Sequence, residues 1–344
     1  MKKLRIGVMG CGRIYQVYRE AFGKLAGEME LVLAVDKELP RAEAAAKGHE
    51  NCLASDTVDL KEIRWLLRQQ KVDLVHILLP HFLHGRYAKA AMESGVNVLT
   101  EKPITISLSE ADELIGVQKQ TGTQLGVIFQ NRYIAGVRKV RELIGSGAMG
   151  RVKGACSNLN WYRPESYYQC DWKGSWEKEG GGVVIDQAIH SIDLVRYMTG
   201  LEAERLMGHT SRRVLTNIQV EDEADAAIWL ENGAVYSFYA CNYFTTNSPI
   251  RVSVSCEKAT ATLTHEQMEI AWADGRREVI LPEAEGSGTG ESYWGACHLA
   301  QIRECYRALA QGQVMPWEPE DAKKTLAIVQ GIYESARIQG EVRL

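Results

Sequence analysis

The chain has 344 residues, with 40 Lys and Arg against 44 Asp and Glu for a formal net charge of -4, and is 45% hydrophobic and 24% charged. That length exceeds what one hydrophobic core usually serves, so two domains are expected, and the lack of a basic excess argues against nucleic acid or an anionic membrane as partner. No apolar run approaches the ~18 residues of a membrane-crossing helix, and eight scattered cysteines without a Cys-x-x-Cys pair predict reduced thiols in a cytoplasm, with neither a disulfide frame nor a structural zinc.

The first predicted element is a strand. Lys2, Lys3 and Arg5 imitate the basic start of a secretory leader, but the apolar run behind them, Ile6 to Met9, is too short and ends at Gly10. Ile14, Val17, Tyr18, Ala21, Phe22 and Leu25 then recur at helical spacing. Leu31 to Val35 reads as a second strand closed by Asp36, Val72 to Leu79 as a third stopped by Pro80, and Val96 to Leu99 as a fourth running into Glu101-Lys102-Pro103. Ser107 and Glu110 have the spacing of a capping box, Gly122 can close that helix, and Gln124 to Phe129 is a further strand. This alternation predicts an α/β Rossmann domain, a doubly wound parallel sheet over about residues 1–125.

The pattern changes over 126–344. Val152 to Trp161 reads as a long strand, and Gly182 to Thr199 as a helix with Ile185, Ile189 and Ile192 on one face. Arg251 to Glu257 and Ala259 to Thr264 alternate with period two, while Asn232-Gly233 and Asp274-Gly275 are tight-hairpin signals. The second domain is therefore expected to be α+β with a large, mainly antiparallel sheet. Glu283 to Glu291, with three glycines, predicts a mobile loop, and helices over about 295–311 and 319–339 finish the chain, the last free to pack back on the first domain.

Gly10-Cys11-Gly12-Arg13-Ile14-Tyr15 follows a strand and opens a helix, the context in which a glycine pattern signals a dinucleotide site. Gly10 permits the tight turn, and Gly12 lets backbone approach a pyrophosphate at a helix N-terminus. Tyr15 stands where a third small residue is usual, which predicts looser helix–strand packing and an outward push on the dinucleotide. Asp36 can accept from both hydroxyls of an adenosine ribose and repels a 2′-phosphate, favouring NAD over NADP. Lys37 and Arg41 nearby could greet a phosphate instead.

Three further signatures accompany the turn: Pro80-His81-Phe82-Leu83-His84, Glu101-Lys102-Pro103, and Gly180-Gly181-Gly182 leading into Asp186-Gln187-Ala188-Ile189-His190-Ser191-Ile192-Asp193. Together they resemble the glucose–fructose oxidoreductase/inositol dehydrogenase/rhizopine catabolism family over essentially the whole chain. The resemblance implies pyridine-nucleotide oxidation of a secondary alcohol on a sugar or cyclitol. It implies Lys102 between nicotinamide and substrate, with Asp186 and His190 facing it. It also implies cofactor contacts from Cys11, Arg13, Ile14, Leu79, Pro80, His84 and Glu101, and a substrate surface from Asn131, Trp161, Arg163, Trp172 and Tyr293. His81 stands where asparagine is common. Asp186 matches cyclitol and monosaccharide members, whereas the aromatic stretch 158–176 is similar to sugar-nucleotide members, so the substrate assignment is split.

Asp186 and His190 are four apart, hence one turn apart on a predicted helix. An imidazole with an unperturbed pKa near ~6.5 suits general acid–base work. His190 is expected to be the base, Lys102 the electrostatic partner of the reacting oxygen, and Asp186 an orienter or substrate-hydroxyl acceptor. The triple glycine is expected to let backbone come close to the cofactor. No third ligand accompanies Asp186 and His190, so no metal is expected. His84 either lies under the nicotinamide or merely begins a helix. Trp161, Arg163, Tyr168 and Trp172 either meet a sugar or belong to the core. Tyr293 and His298 are candidates for the pocket rim. Two other functions fit the same residues: a glycosidase that oxidises and re-reduces its sugar around an elimination, with no net redox change, and a dinucleotide sensor without catalysis. A homodimer or homotetramer is expected, because a sheet in the second domain leaves one face to cover.

Overall fold

The structure, a computed structural model, describes residues 3–282 and 297–344. The described residues fall into two compact units. One takes residues up to Gln130 together with 297 to Lys323; the other takes Asn131 to Pro282 together with Lys324 to Leu344. A single cut near residue 125 therefore does not describe the chain. The helix His298–Ala310 belongs with the N-terminal unit, and the division falls inside the helix Pro319–Ile338.

The first unit is built on strands β1 (Leu4–Met9), β2 (Met29–Val35), β3 (Leu53–Ser55), β4 (Leu74–Ile77), β5 (Asn97–Thr100) and β6 (Leu125–Val127), in the order β3-β2-β1-β4-β5-β6, each pair parallel. The central strands are apolar almost without interruption because helices cover both faces of such a sheet. Ser107 accepts from the Glu110 amide at 3.3 Å, and Gly122, with φ of 68°, ends that helix, as its spacing predicted. The free edge at β6 is closed from far along the chain. The Gln301 side chain donates to the Val127 carbonyl at 2.8 Å and accepts from the Phe129 amide at 3.0 Å, and the Trp317 carbonyl accepts from the Val127 amide at 3.4 Å.

The second unit carries β7 (Val152–Asn160), β8 (Ala203–Ser211), β9 (Glu223–Leu230), β10 (Val235–Cys241), β11 (Arg251–Cys256), β12 (Ala259–Thr264), β13 (Gln267–Trp272), β14 (Arg277–Ile280) and β15 (Val342–Arg343). Among the described residues they form one sheet in the order β14-β13-β12-β11-β7-β10-β9-β8-β15, antiparallel except where β10 meets β7. Gly233 (φ 82°) and Gly275 (φ 92°) make the two predicted tight turns. Ala224, Ala226, Ile228 and Leu230 of β9 are buried in alternation, and the helices Ala135–Gly145 and Ile189–Thr199 lie against β7, β11, β12 and β13 of the same sheet. The second of these helices is tied to the start of the unit by a buried ion pair in which Arg132 Nε donates to Asp193 Oδ2 at 2.8 Å and Thr325 Oγ1 donates to Asp193 Oδ1 at 3.0 Å. Breaking one member of such a pair leaves an uncompensated buried charge, so it fixes the packing of this helix.

Candidate active site

In the first unit Gly10 ends β1 with φ of 94°, and a Cβ there would lie 2.5 Å from the Leu78 carbonyl oxygen. Glycine is required on both counts. At Gly12 a Cβ would meet nothing within 4 Å. This open space faces the start of the helix Tyr15–Lys24, which has no side-chain cap. Uncapped N–H groups and the positive end of the helix dipole are what a pyrophosphate needs. Asp36 is buried at the end of β2. Its Oδ2 accepts from the Cys11 amide at 2.7 Å and its Oδ1 from the Glu38 amide at 2.9 Å, while Arg41 stands 4.0 Å away. Each carboxylate oxygen keeps a second acceptor position for a ribose hydroxyl. The turn thus fits a dinucleotide. Burial, then the Asp36 and Cys52 charges, push the Cys11 thiol up to about 12, so it lines the turn as a small apolar group. Tyr15 points into the core, edge-on to Phe22, with its hydroxyl 3.4 Å from the Ala45 carbonyl. An aromatic ring replaces the small residue of the usual fingerprint, and the predicted outward push has no source in it.

Leu79 and Pro80 are half-buried after β4, with Leu79 beside Gly10. Both ring nitrogens of His84 are spent internally. Its two ring nitrogens lie 2.7 Å from the Pro103 and Leu79 carbonyl oxygens, and burial pushes its pKa down against the pull of those carbonyls. It braces the Lys102-Pro103 turn, whose peptide is cis, against the end of β4. Glu101 is also spent internally: its Oε1 accepts from the Tyr18 hydroxyl at 2.6 Å and stands 3.5 Å from His298 Nε2. Burial alone would raise this carboxyl, but hydrogen bonds from His298 and Tyr18 and the Lys102 charge hold it down at about 2. His298 is therefore a buried partner of Glu101, not a rim residue. Lys102, half-buried, follows directly.

In the second unit the predicted helix at 182–199 is present, but its first turn is a π-turn, Val184–Ala188, continued by the α-helix Ile189–Thr199. Such widened turns concentrate at functional sites. Asp186 lies in it, and His190 one turn on. Two of the three glycines are required by the protein's own packing. A Cβ on Gly181 (φ 147°) would lie 2.0 Å from the Tyr333 hydroxyl, and one on Gly182 would lie 2.0 Å from the Glu221 carbonyl oxygen.

Asp186 is held by three donors on its Oδ2: Tyr167 hydroxyl at 2.7 Å, Lys173 Nζ at 2.5 Å and Gln187 Nε2 at 2.5 Å. Gln187 Oε1 in turn accepts from Asn242 Nδ2 at 3.0 Å, which also donates to the Tyr168 hydroxyl at 2.9 Å. Trp161 is buried and donates to the Ser248 carbonyl at 3.1 Å, and the Arg163 guanidinium lies 4.6 Å from its ring while donating to Tyr162 and Asn247. These two form a packed wall. Trp172 is half-buried, with Lys173 Nζ 4.3 Å from its ring centre. Asn131 is half-buried in the short 3₁₀ turn Gln130–Tyr133. Tyr293 lies outside the described residues. Lys173, Glu179, Asn242 and Glu221 were missed because they stand in loops, or follow one, where no periodicity marks them. The one available signal was a lysine set among Tyr167, Tyr168, Trp172 and Trp176.

Among the described residues no group of three His, Cys, Asp or Glu could hold a metal ion, and no helix is long and apolar enough to cross a membrane. Residues 4–129 match the family model described as "Oxidoreductase family, NAD-binding Rossmann fold", and residues 137–262 match the GFO/IDH/MocA C-terminal domain. The chain is 25% identical to D-glucoside 3-dehydrogenase of Escherichia coli (strain K12), over 76% of this chain and 77% of that protein. It is 27% identical to scyllo-inositol 2-dehydrogenase (NAD(+)) of Bacillus subtilis (strain 168), over 89% and 86%. The crystal structure of the WlbA dehydrogenase from Bordetella pertussis in complex with NADH and UDP-GlcNAcA is similar with a TM-score of 0.84 and 25% identity, covering 100% of this chain and 99% of that one. With both family matches in order over most of the sequence, the chain belongs to the glucose–fructose oxidoreductase/inositol dehydrogenase/rhizopine catabolism (GFO/IDH/MocA) family of oxidoreductases and has its NAD-binding Rossmann domain.

Proposed function

We propose that this protein is an NAD-dependent dehydrogenase that oxidises a secondary hydroxyl of a sugar, cyclitol or sugar derivative to the ketone. One observation carries the reading: an aspartate pinned by three donors stands one turn before a histidine, at the start of a helix in the substrate unit. A fixed anion beside an imidazole is a good proton acceptor for an alcohol. NAD, held at the Gly10–Ile14 turn, would supply the hydride acceptor. His190 takes the hydroxyl proton, Lys102 donates to the oxygen as negative charge develops on it, and Asp186 orients substrate and imidazole. The relatives that act on glucosides and inositols support a polyol substrate, and the WlbA complex extends the class to nucleotide sugars.

The sheet face bearing Arg205, Trp229 and Val235 supports assembly into a homodimer or homotetramer. All eight cysteines are free, in keeping with a cytoplasmic protein. The test is NADH formation from NAD across a panel of pyranoses, cyclitols, glycosides and nucleotide sugars. NADH formed in step with ketone supports the reading. Glycoside cleavage without NADH, or tight NAD binding with no turnover on any member, overturns it.

A further inference from the structure

We propose that Lys173 is a positioning residue of the active site, setting the proton affinity of His190 through its ion pair with Asp186. The inference rests on the dehydrogenase reading above for its catalytic meaning, though not for its physical content.

Lys173 belongs to the stretch between β7 and the π-turn. Its ammonium donates to Asp186 Oδ2 at 2.5 Å and to Glu179 Oε1 at 3.2 Å, and lies 4.5 Å from the Tyr167 ring and 4.3 Å from the Trp172 ring. The side chains concerned are nearly dry: 11% exposed for Lys173, 9% for Asp186 and 1% for Glu179. At such burial a charge acts on its neighbours with little screening. The next residue, Gly174 (φ 74°), donates its amide to the Glu179 carboxylate, so a short loop closes around the ammonium.

The charges do not balance. One ammonium serves two carboxylates. Burial pushes the Glu179 carboxyl well above its ordinary range even with Lys173 beside it, while the shorter of the lysine's two contacts goes to Asp186. Burial would depress Lys173, but Asp186, Tyr167 and Glu179 more than reverse this and keep it protonated. Other titratable groups around the cluster are Tyr168, beside Asp186 and Glu179, and Tyr333 with Glu221 beyond Glu179. Along the helix from His190 the next acid, Asp193, is already matched by Arg132. Lys173 thus offsets the negative charge that stands one turn before His190.

Removing a nearby positive charge raises the proton affinity of every group around it. If Asp186 stays ionised without Lys173, it favours the imidazolium. Tyr167 and Gln187 still donate to Asp186 without the lysine, so the carboxylate keeps its charge and the acid limb of alcohol oxidation moves up with the His190 midpoint. Removal of the lysine as a mere loop strut would leave that limb where it is.

The experiment is an NMR titration of the His190 imidazole in the full-length protein without substrate, assigned with His190→Asn, in wild type, Lys173→Met and Lys173→Arg. Lys173→Met is expected to raise the His190 midpoint by roughly one pH unit, with Lys173→Arg staying near wild type. In active enzyme the acid limb of kcat/KM should move by the same amount. Should Lys173→Met not fold, Lys173→Gln carries the same expectation, since it keeps a donor and drops the charge. An unchanged midpoint in a folded, uncharged variant overturns the proposal. A wild type that oxidises no polyol sinks the dehydrogenase reading alone, because the titration needs no turnover.

Discussion

Gly182 gives its amide to both carboxylate oxygens of Glu221, each at 2.9 Å, while a Cβ on the same residue would stand 2.0 Å from the Glu221 carbonyl oxygen. Glu221 also accepts from the Val184 amide at 3.0 Å and the Tyr333 hydroxyl at 2.9 Å. A side chain distant in sequence therefore caps the π-turn that carries Asp186. Gly182→Ala should destabilise the fold by about 3 kcal/mol or more, since it overpacks against backbone that cannot yield. Thermal unfolding checks this, and a wild-type Tm in Gly182→Ala would show that the contact can relax.

Gly12 makes the opposite case. With nothing within 4 Å of its missing Cβ, Gly12→Ala should keep its stability within about 0.5 kcal/mol. It should weaken NADH roughly 10-fold or more, because the methyl group fills the space that a pyrophosphate requires. Fluorescence titration with NADH and a melting curve on the same sample separate the two effects. Loss of stability together with affinity would assign Gly12 to folding instead.

Asp36 anchors the Cys11 amide, and the proposed cofactor reading has it meet a ribose as well. Asp36→Ser should narrow or reverse the preference for NAD over NADP by removing repulsion against a 2′-phosphate. It should also lower stability by about 1–3 kcal/mol, since a buried amide loses its acceptor. Dissociation constants for both cofactors, in wild type and variant, decide the matter. A wild type that binds NADP more tightly refutes the assignment.

The catalytic roles predict distinct kinetics. Lys102→Ala should lower kcat roughly 10²-fold or more with a much smaller change in NAD affinity. His190→Asn should cost roughly 10²- to 10⁴-fold and abolish the acid limb of kcat/KM for oxidation. Asp186→Asn should cost less and move that limb down, because a carboxylate favours the imidazolium. Persistence of the limb in His190→Asn would move the base elsewhere.

Glu101 ties acid stability to the cofactor unit. Its carboxyl is lowered from 4.5 to about 2 in the fold, so its contribution is fully present above about pH 4.5 and is lost as pH falls towards 2. The shift corresponds to something on the order of 3 kcal/mol. Glu101→Gln should remove that much stability at neutral pH and flatten the acid branch between those values. Denaturant unfolding as a function of pH measures both. A parallel acid branch in the variant would assign the acid loss to other carboxylates.

Much of the first unit was legible because its determinants are local. Runs of apolar residues, a glycine turn and a capping box each fix an element within a few residues of themselves. The Asn232-Gly233 and Asp274-Gly275 turns were legible for the same reason. The active-site reading was less complete, since its partners are brought together by the fold. Tyr167, Lys173 and Gln187 converge on one oxygen of Asp186 from a loop and a helix start. Glu221 reaches Gly182 across 39 residues, and His298 reaches Glu101 from the far end of the chain. Gly181 and Gly182 of the triple glycine are pressed by Tyr333 and Glu221, which no spacing rule connects to them.

The closure of the β6 edge by Gln301 has a consequence for biosynthesis. Gln301 follows Phe129 by 172 residues. At translation rates of about 5–20 residues per second, the edge waits roughly 10 to 30 s for its cover. During that time residues 131–282 of the second unit are being made while the nascent first unit shows an unpaired strand, the form most open to mispairing with neighbouring chains. A stop codon anywhere between residues 130 and 301 therefore damages the cofactor unit, although every strand of its sheet has already been made.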